Sequence, residues 1–193
     1  MRYDDGVPRA DAARNRDRAL DTGRLLLASG DDTLALNDVA KQAGLGVATV
    51  YRHFPTRRAL LEALMDGRLD ELVAEAEAAA GEPDAATGLA RLARAVLVRQ
   101  LGVTGFAEVF ATTDDEREET SGRKARVLLL ADRVLARAVR EGATPAGTTA
   151  MDVQRLLCGV AYAARLDPVD PSARAEDYLD LLLAGLRTRA ATV

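Results

Sequence analysis

The residues with the clearest chemistry lie between Asp38 and Glu62, where no acidic side chain occurs. Within that gap stand Lys41, Arg52, Arg57 and Arg58, together with His53, the only histidine of the chain. In a protein with 30 acidic against 26 basic residues, a local absence of carboxylates beside four cations is a surface suited to phosphate. Catalysis is poorly served by comparison. His53 has no acid or nucleophile near it in sequence and no paired carboxylates mark a site, so no catalytic residue is assigned and the chain is read as a non-enzyme. One cysteine, Cys158, excludes an intramolecular disulfide, and with a single histidine neither a metal cluster nor another cofactor is expected.

The elements that must position these groups are short helices. Gly44-Leu45-Gly46 separates an apolar-periodic segment at 36–43, with Leu36, Val39 and Ala40 inward, from a second at 47–54. Glycine closes such a turn because it adopts the left-handed backbone at little steric cost. With Leu45, Val50 and Phe54 inward, Ala48, Thr49, Arg52 and His53 face out and Tyr51 sits at the border; Pro55 stops the helix. Two short helices around a three-residue glycine turn form a helix-turn-helix, whose second helix enters the DNA major groove. A helix at 13–29, with Leu20, Leu26 and Leu27 inward, precedes them. Residues 1–13, broken by Gly6 and Pro8, read as a loose arm; Arg9, Arg14, Arg16 and Arg18 are solvated charges at a helix start or reach along DNA.

The fourth helix opens at Thr56, a good N-cap, and carries Leu60, Leu61, Leu64, Met65, Leu69, Leu72 and Val73 on one long face. Arg57 and Arg58 occupy its first turn, where the helix dipole penalises cations by roughly 0.3–1 kcal/mol each. A local rule broken twice invites a functional reason, and phosphate at a helix N-terminus supplies one.

The order GLGVATVYRHFPTRRALL resembles the DNA-binding signature of the tetracycline-repressor (TetR) family over about residues 12–72. In that signature a tyrosine, a histidine and a phenylalanine end the recognition helix and a basic residue opens the next; here these are Tyr51, His53, Phe54 and Arg57. The resemblance implies an all-α protein of about nine helices, with an N-terminal three-helix helix-turn-helix DNA-binding domain at 12–72 and a larger ligand-binding and dimerisation domain at 73–193. It further implies a repressor that binds a palindromic double-stranded DNA operator as a homodimer and leaves it when a small-molecule inducer binds. Ala48 and Thr49 would then meet thymine methyls, and Arg52 would make a bidentate guanine contact worth about 1–3 kcal/mol of discrimination. Tyr51, His53, Arg57 and Arg58 would hold phosphates, with Asn37 and Lys41 as additional contacts; the alternative for Tyr51 is packing against the second helix. Leu34, Ala35 and Gly46 stand where hydroxyl side chains are common in the family, which removes possible caps and phosphate contacts.

The rest of the chain fits a separate role. Residues 1–68 hold 11 Lys+Arg and 10 Asp+Glu, whereas the remaining 125 hold 15 and 20, so the acidity lies in the C-terminal two-thirds. Helices are expected at 85–101, 123–140, 151–165 and 175–190, with a short apolar piece around Phe106, Val109 and Phe110 and an acidic run at 114–119 read as a solvated loop or helix start. Leu97, Leu101, Phe106, Phe110, Met151, Cys158 and Tyr162 are candidate lining for an apolar inducer cavity. In the resembling family the last two helices pair across a two-fold axis; Gly159, Ala163, Tyr178, Leu182 and Leu186 suit that interface. No apolar run approaches the roughly 18 residues that span a bilayer, and the N-terminus is unlike a signal peptide, so a cytoplasmic protein without a membrane partner is expected. The competing reading is a helical regulator that acts through protein partners, its helix-turn-helix retained as scaffold.

Overall fold

A computed structural model describes residues 6–190, and the side chains of residues 10–187. Among the described residues there are nine α-helices and no strand: α1 (Gly6–Ala28), α2 (Leu36–Ala43), α3 (Val47–His53), α4 (Arg57–Gly81), α5 (Ala85–Gly102), α6 (Phe106–Ala111), α7 (Glu118–Arg140), α8 (Ala150–Arg165) and α9 (Pro171–Ala190). The fold is therefore all-α, as the helical spacing of its apolar residues demands.

The expected arm is corrected over its described part. From Gly6 onward the chain is already helical, because Pro8 falls in the first turn, where no intrahelical N–H donor is needed. The side chain of Arg9 lies outside the described residues. Arg16 and Arg18 turn inward instead of along a groove: the Arg16 guanidinium lies 5.6 Å over the Phe54 ring, and Arg18 donates at 2.5 Å to the Ala43 carbonyl that ends α2.

The α1–α3 unit closes on Ala19, Leu20, Leu26 and Leu27, on Leu34, Leu36, Val39 and Ala40, and on Val50 and Phe54, all buried. The lid on this small core is α4. Its 25 residues make a rod of about 37 Å, and its buried side runs without interruption from Ala59 through Leu60, Leu61, Leu64 and Leu69 to Ala79. The first turns pack on α1, and the remainder packs on α5 and α7. The boundary expected at 72/73 falls inside this one helix.

Beyond α4 the boundaries follow capping chemistry. Asp84 accepts from the Thr87 amide at 2.7 Å and starts α5. Thr149 and Asp152 cap α8 reciprocally, which begins the helix at Ala150, one residue before the expected start. The α4–α5 hairpin closes tightly at Gly88, where an added Cβ would stand 2.5 Å from the Ala79 carbonyl oxygen. Backbone faces backbone there, so no side chain can yield. Gly88→Ala is expected to lower stability by about 1–3 kcal/mol, read as a fall in the urea midpoint at unchanged slope.

The acidic run is an exposed loop that becomes the start of α7, except at Asp115. Asp115 is buried, with its carboxylate 2.7 Å from Lys124 Nζ and 3.3 Å from Arg58, and Glu116 accepts from the Thr56 hydroxyl. Glu118 and Glu119 form the first turn of α7, where the dipole favours acids, and this starts the helix five residues before position 123.

Candidate nucleic-acid interface

The turn between α2 and α3 is set by backbone chemistry. Gly44 lies in the left-handed region at φ 63°, its amide donates to the Lys41 carbonyl, and the Leu45 amide donates at 2.9 Å to the Ala40 carbonyl. This pair of bonds satisfies the last carbonyls of α2 and turns the chain into α3. Neither Ala35 nor Gly46 supplies a side-chain cap, so the missing hydroxyls leave α2 and α3 capped through backbone geometry alone. Leu34, where a hydroxyl residue is common in the family, is fully buried and takes a positive φ of 46°. Its side chain thus serves the core, at the cost of a backbone shape that few non-glycine residues adopt.

With Val50 and Phe54 sunk in the core, α3 presents its other side outward. Ala48 and Arg52 are exposed and Thr49 and His53 half-buried. Arg52 Nη2 donates at 3.3 Å to the Thr49 hydroxyl, so these two side chains already share one face. Tyr51 is 44% exposed, so part of its side chain faces solvent. Asn37 and Lys41 are exposed on α2. Among the described residues no carboxylate forms an ion pair with Lys41, Arg52 or His53.

Arg57 and Arg58 do not share that face, and their reading as open phosphate ligands is corrected. Arg58 is largely buried, held by Glu62 at 2.7 Å, by Asp115 and by the Glu108 and Val109 carbonyls. Arg57 pairs with Glu108 of α6 at 2.7 Å and donates to the Asp32 and Thr33 carbonyls ahead of α2. The hydrogen bond that Arg57 donates to Glu108 raises the Arg57 pKa, and Glu108 in turn is held below its ordinary value by Arg57. The two cations at the dipole's wrong end are compensated by carboxylates from α4, α6 and the α6–α7 loop.

Residues 20–64 match the family of bacterial regulatory proteins, tetR family. Over 71 residues the chain is 41% identical to the HTH-type transcriptional regulator SAR0097 of Staphylococcus aureus (strain MRSA252), an alignment spanning 36% of this chain and 37% of that regulator. The N-terminal segment at 20–64 carries the DNA-binding pattern of the tetR family. The TetR transcriptional regulator SCO0520 from Streptomyces coelicolor superposes with a TM-score of 0.53 at 27% identity, covering 89% of this chain and 98% of that one. Two further structures share the fold. A TetR-family transcriptional regulator from Pectobacterium atrosepticum has a TM-score of 0.63 at 21% identity, covering 92% and 96%. The transcriptional regulator FadR from Bacillus subtilis, in complex with stearoyl-CoA, has a TM-score of 0.62 at 18% identity, covering 87% and 97%. These relatives are regulators of transcription, in line with the sequence reading that assigns no catalytic residue.

In the C-terminal part of the chain, an apolar cavity of about 40 Å³ lies between α5, α7 and α8. Leu89, Leu92, Val96, Val127, Leu135 and Leu157 contribute to its wall. Of the residues expected to line a pocket, Phe110 does so, and Met151 lines an adjoining groove of about 190 Å³ together with Thr112, Asp115 and Lys124. The others are corrected. Leu97 and Phe106 are buried core, Leu101 packs against that core, Cys158 faces Gln100 at 3.5 Å, and Tyr162 points out, 67% exposed. Helical spacing told which residues face inward but not where the interior leaves a gap.

The expected dimer residues divide in the same way. Tyr178, Leu182 and Leu186 pack partly on the chain's own core, while Gly159 is exposed and Ala163 half-buried. Sequence reasoning missed Leu156, Leu166 and Leu181, which are exposed beside them. Their signal was a second apolar stripe on helices already given a core-facing one.

Proposed function

We propose that the protein is a repressor that binds a palindromic double-stranded DNA operator as a homodimer through α2 and α3, and is released when a small-molecule inducer binds the C-terminal part. The observation that carries this reading is the outward face of α3, where Arg52 and Thr49 lie together with no carboxylate to neutralise them. Arg52 makes a bidentate contact to guanine, Thr49 and Ala48 meet thymine methyls, and Tyr51, His53, Lys41 and Asn37 hold phosphates. The exposed apolar side chains of Leu156 and Tyr162 on α8, Leu166 at its C-cap and Leu181 on α9 support a two-fold helical interface between copies. The division into a DNA-binding part at 12–72 and a regulatory part at 73–193 follows, with α4 shared by both, and so does a cytoplasmic location beside the DNA.

Selection of bound fragments from genomic DNA tests the reading directly. Recovery of a common palindrome supports it, and the absence of any site-selective footprint at physiological salt would favour a regulator working through protein partners. On the recovered operator, Arg52→Ala is expected to relax discrimination at one base pair of each half-site by about 1–3 kcal/mol, measured by competition with singly substituted duplexes. A variant that kept full discrimination would remove the base-reading role.

A further inference from the structure

The two arginines that open α4 have opposite degrees of freedom. Arg58 is only 16% exposed and bonded to the fully buried Glu62, whereas the Arg57–Glu108 pair is open to solvent, at 36% and 44%. Arg57 stands four residues beyond the last helical residue of α3, inside the acid-free stretch, yet its guanidinium faces the protein. Two of its contacts, the carbonyls of Asp32 and Thr33, are neutral and would tolerate its departure. Its ion-pair partner among the described residues is Glu108, in a bidentate arrangement at 2.7 and 3.1 Å. A solvent-exposed ion pair of this kind exchanges its partner readily for another oxyanion.

We propose that Glu108 on α6 competes with the DNA backbone for Arg57. With Glu108 seated, the cation is spent inside the protein; when α6 withdraws its carboxylate, Arg57 adds one phosphate contact per protomer. This places an electrostatic gate on DNA affinity at the contact between α6 and α4, independent of which bases α3 reads. The inference rests on the DNA-binding reading above.

A phosphate contact is blind to sequence, so a mixed-sequence duplex of about 40 base pairs serves as probe. Binding of the full chain is measured as a function of salt. Glu108→Gln keeps the side-chain volume and the Glu108 carbonyl bonded to Arg58. It is expected to bind more tightly, by about eightfold per protomer at 0.1 M salt, with the log–log salt slope steeper by about 0.9 per protomer. Glu108→Ala carries the same expectation if the glutamine variant does not fold. The double variant Glu108→Gln/Arg57→Gln should lose the whole gain. Unchanged or weaker binding by Glu108→Gln, or a gain that persists without Arg57, overturns the gate while leaving the DNA-binding reading in place. No binding by the unaltered chain even at low salt overturns both.

Discussion

Glu62→Ala is expected to cost about 3–5 kcal/mol of folding stability, the range for removing one partner of a buried ion pair. Glu62 is fully buried, and its carboxylate is divided among three donors. One oxygen accepts from Arg58 Nε at 2.7 Å and from the Glu116 amide at 3.0 Å; the other accepts from the Arg117 amide at 3.0 Å. Alanine strands two backbone donors at the entry to α7 and leaves Arg58 with Asp115 as its remaining carboxylate. Glutamine keeps the volume but brings an NH2 group toward groups that only donate, so it is expected to lose much of the same stability. Denaturation in guanidinium, comparing midpoints of the two variants, checks the magnitude; a loss below 1 kcal/mol for alanine would contradict the account.

The same carboxylate gives a pH signature. Burial by itself pushes Glu62 up, but the bonds from Arg58 and from the Glu116 and Arg117 amides outweigh it and hold the group below its ordinary value. A depressed carboxyl stabilises the fold in full above the ordinary glutamate range, and that contribution is lost as pH falls through the depressed value. The Glu62→Ala protein should therefore show a weaker loss of stability on acidification than the unaltered chain.

The second large effect is expected at Phe54. Its ring is buried at the C-terminal end of α3, below the Arg16 guanidinium, and closes the small core on which the recognition helix rests. Phe54→Ala is expected to cost about 3–5 kcal/mol from lost transfer energy and the cavity left behind. A core this small has few neighbours able to collapse into the gap, so thermal melting should shift strongly. Operator binding should fall even at temperatures where circular dichroism still reports helix, because the angle of α3 is no longer fixed. Binding that tracks only the folded fraction would show that Phe54 contributes stability without positioning α3.

The sequence by itself determined the elements around the interface. Leu36, Val39 and Ala40 at helical spacing, Gly44 in its left-handed turn, Val50 and Phe54 facing in and Thr56 as N-cap of α4 all stand where local pattern puts them. These are short-range matters: periodicity, capping and the backbone freedom of glycine act within a few residues. Only the tertiary structure decided what the outward side chains meet. Arg57 finds Glu108 51 residues away, and Arg58 finds Asp115 at a separation of 57, so both cations meet carboxylates that no local pattern announces. Lys124, unremarkable in sequence, closes the same cluster by bonding Asp115 and the Val109 carbonyl. The cavity wall likewise depends on how α5, α7 and α8 cross. A residue's place on its helix fixes the direction its side chain leaves, and the folding of distant segments fixes the charge or the space that receives it.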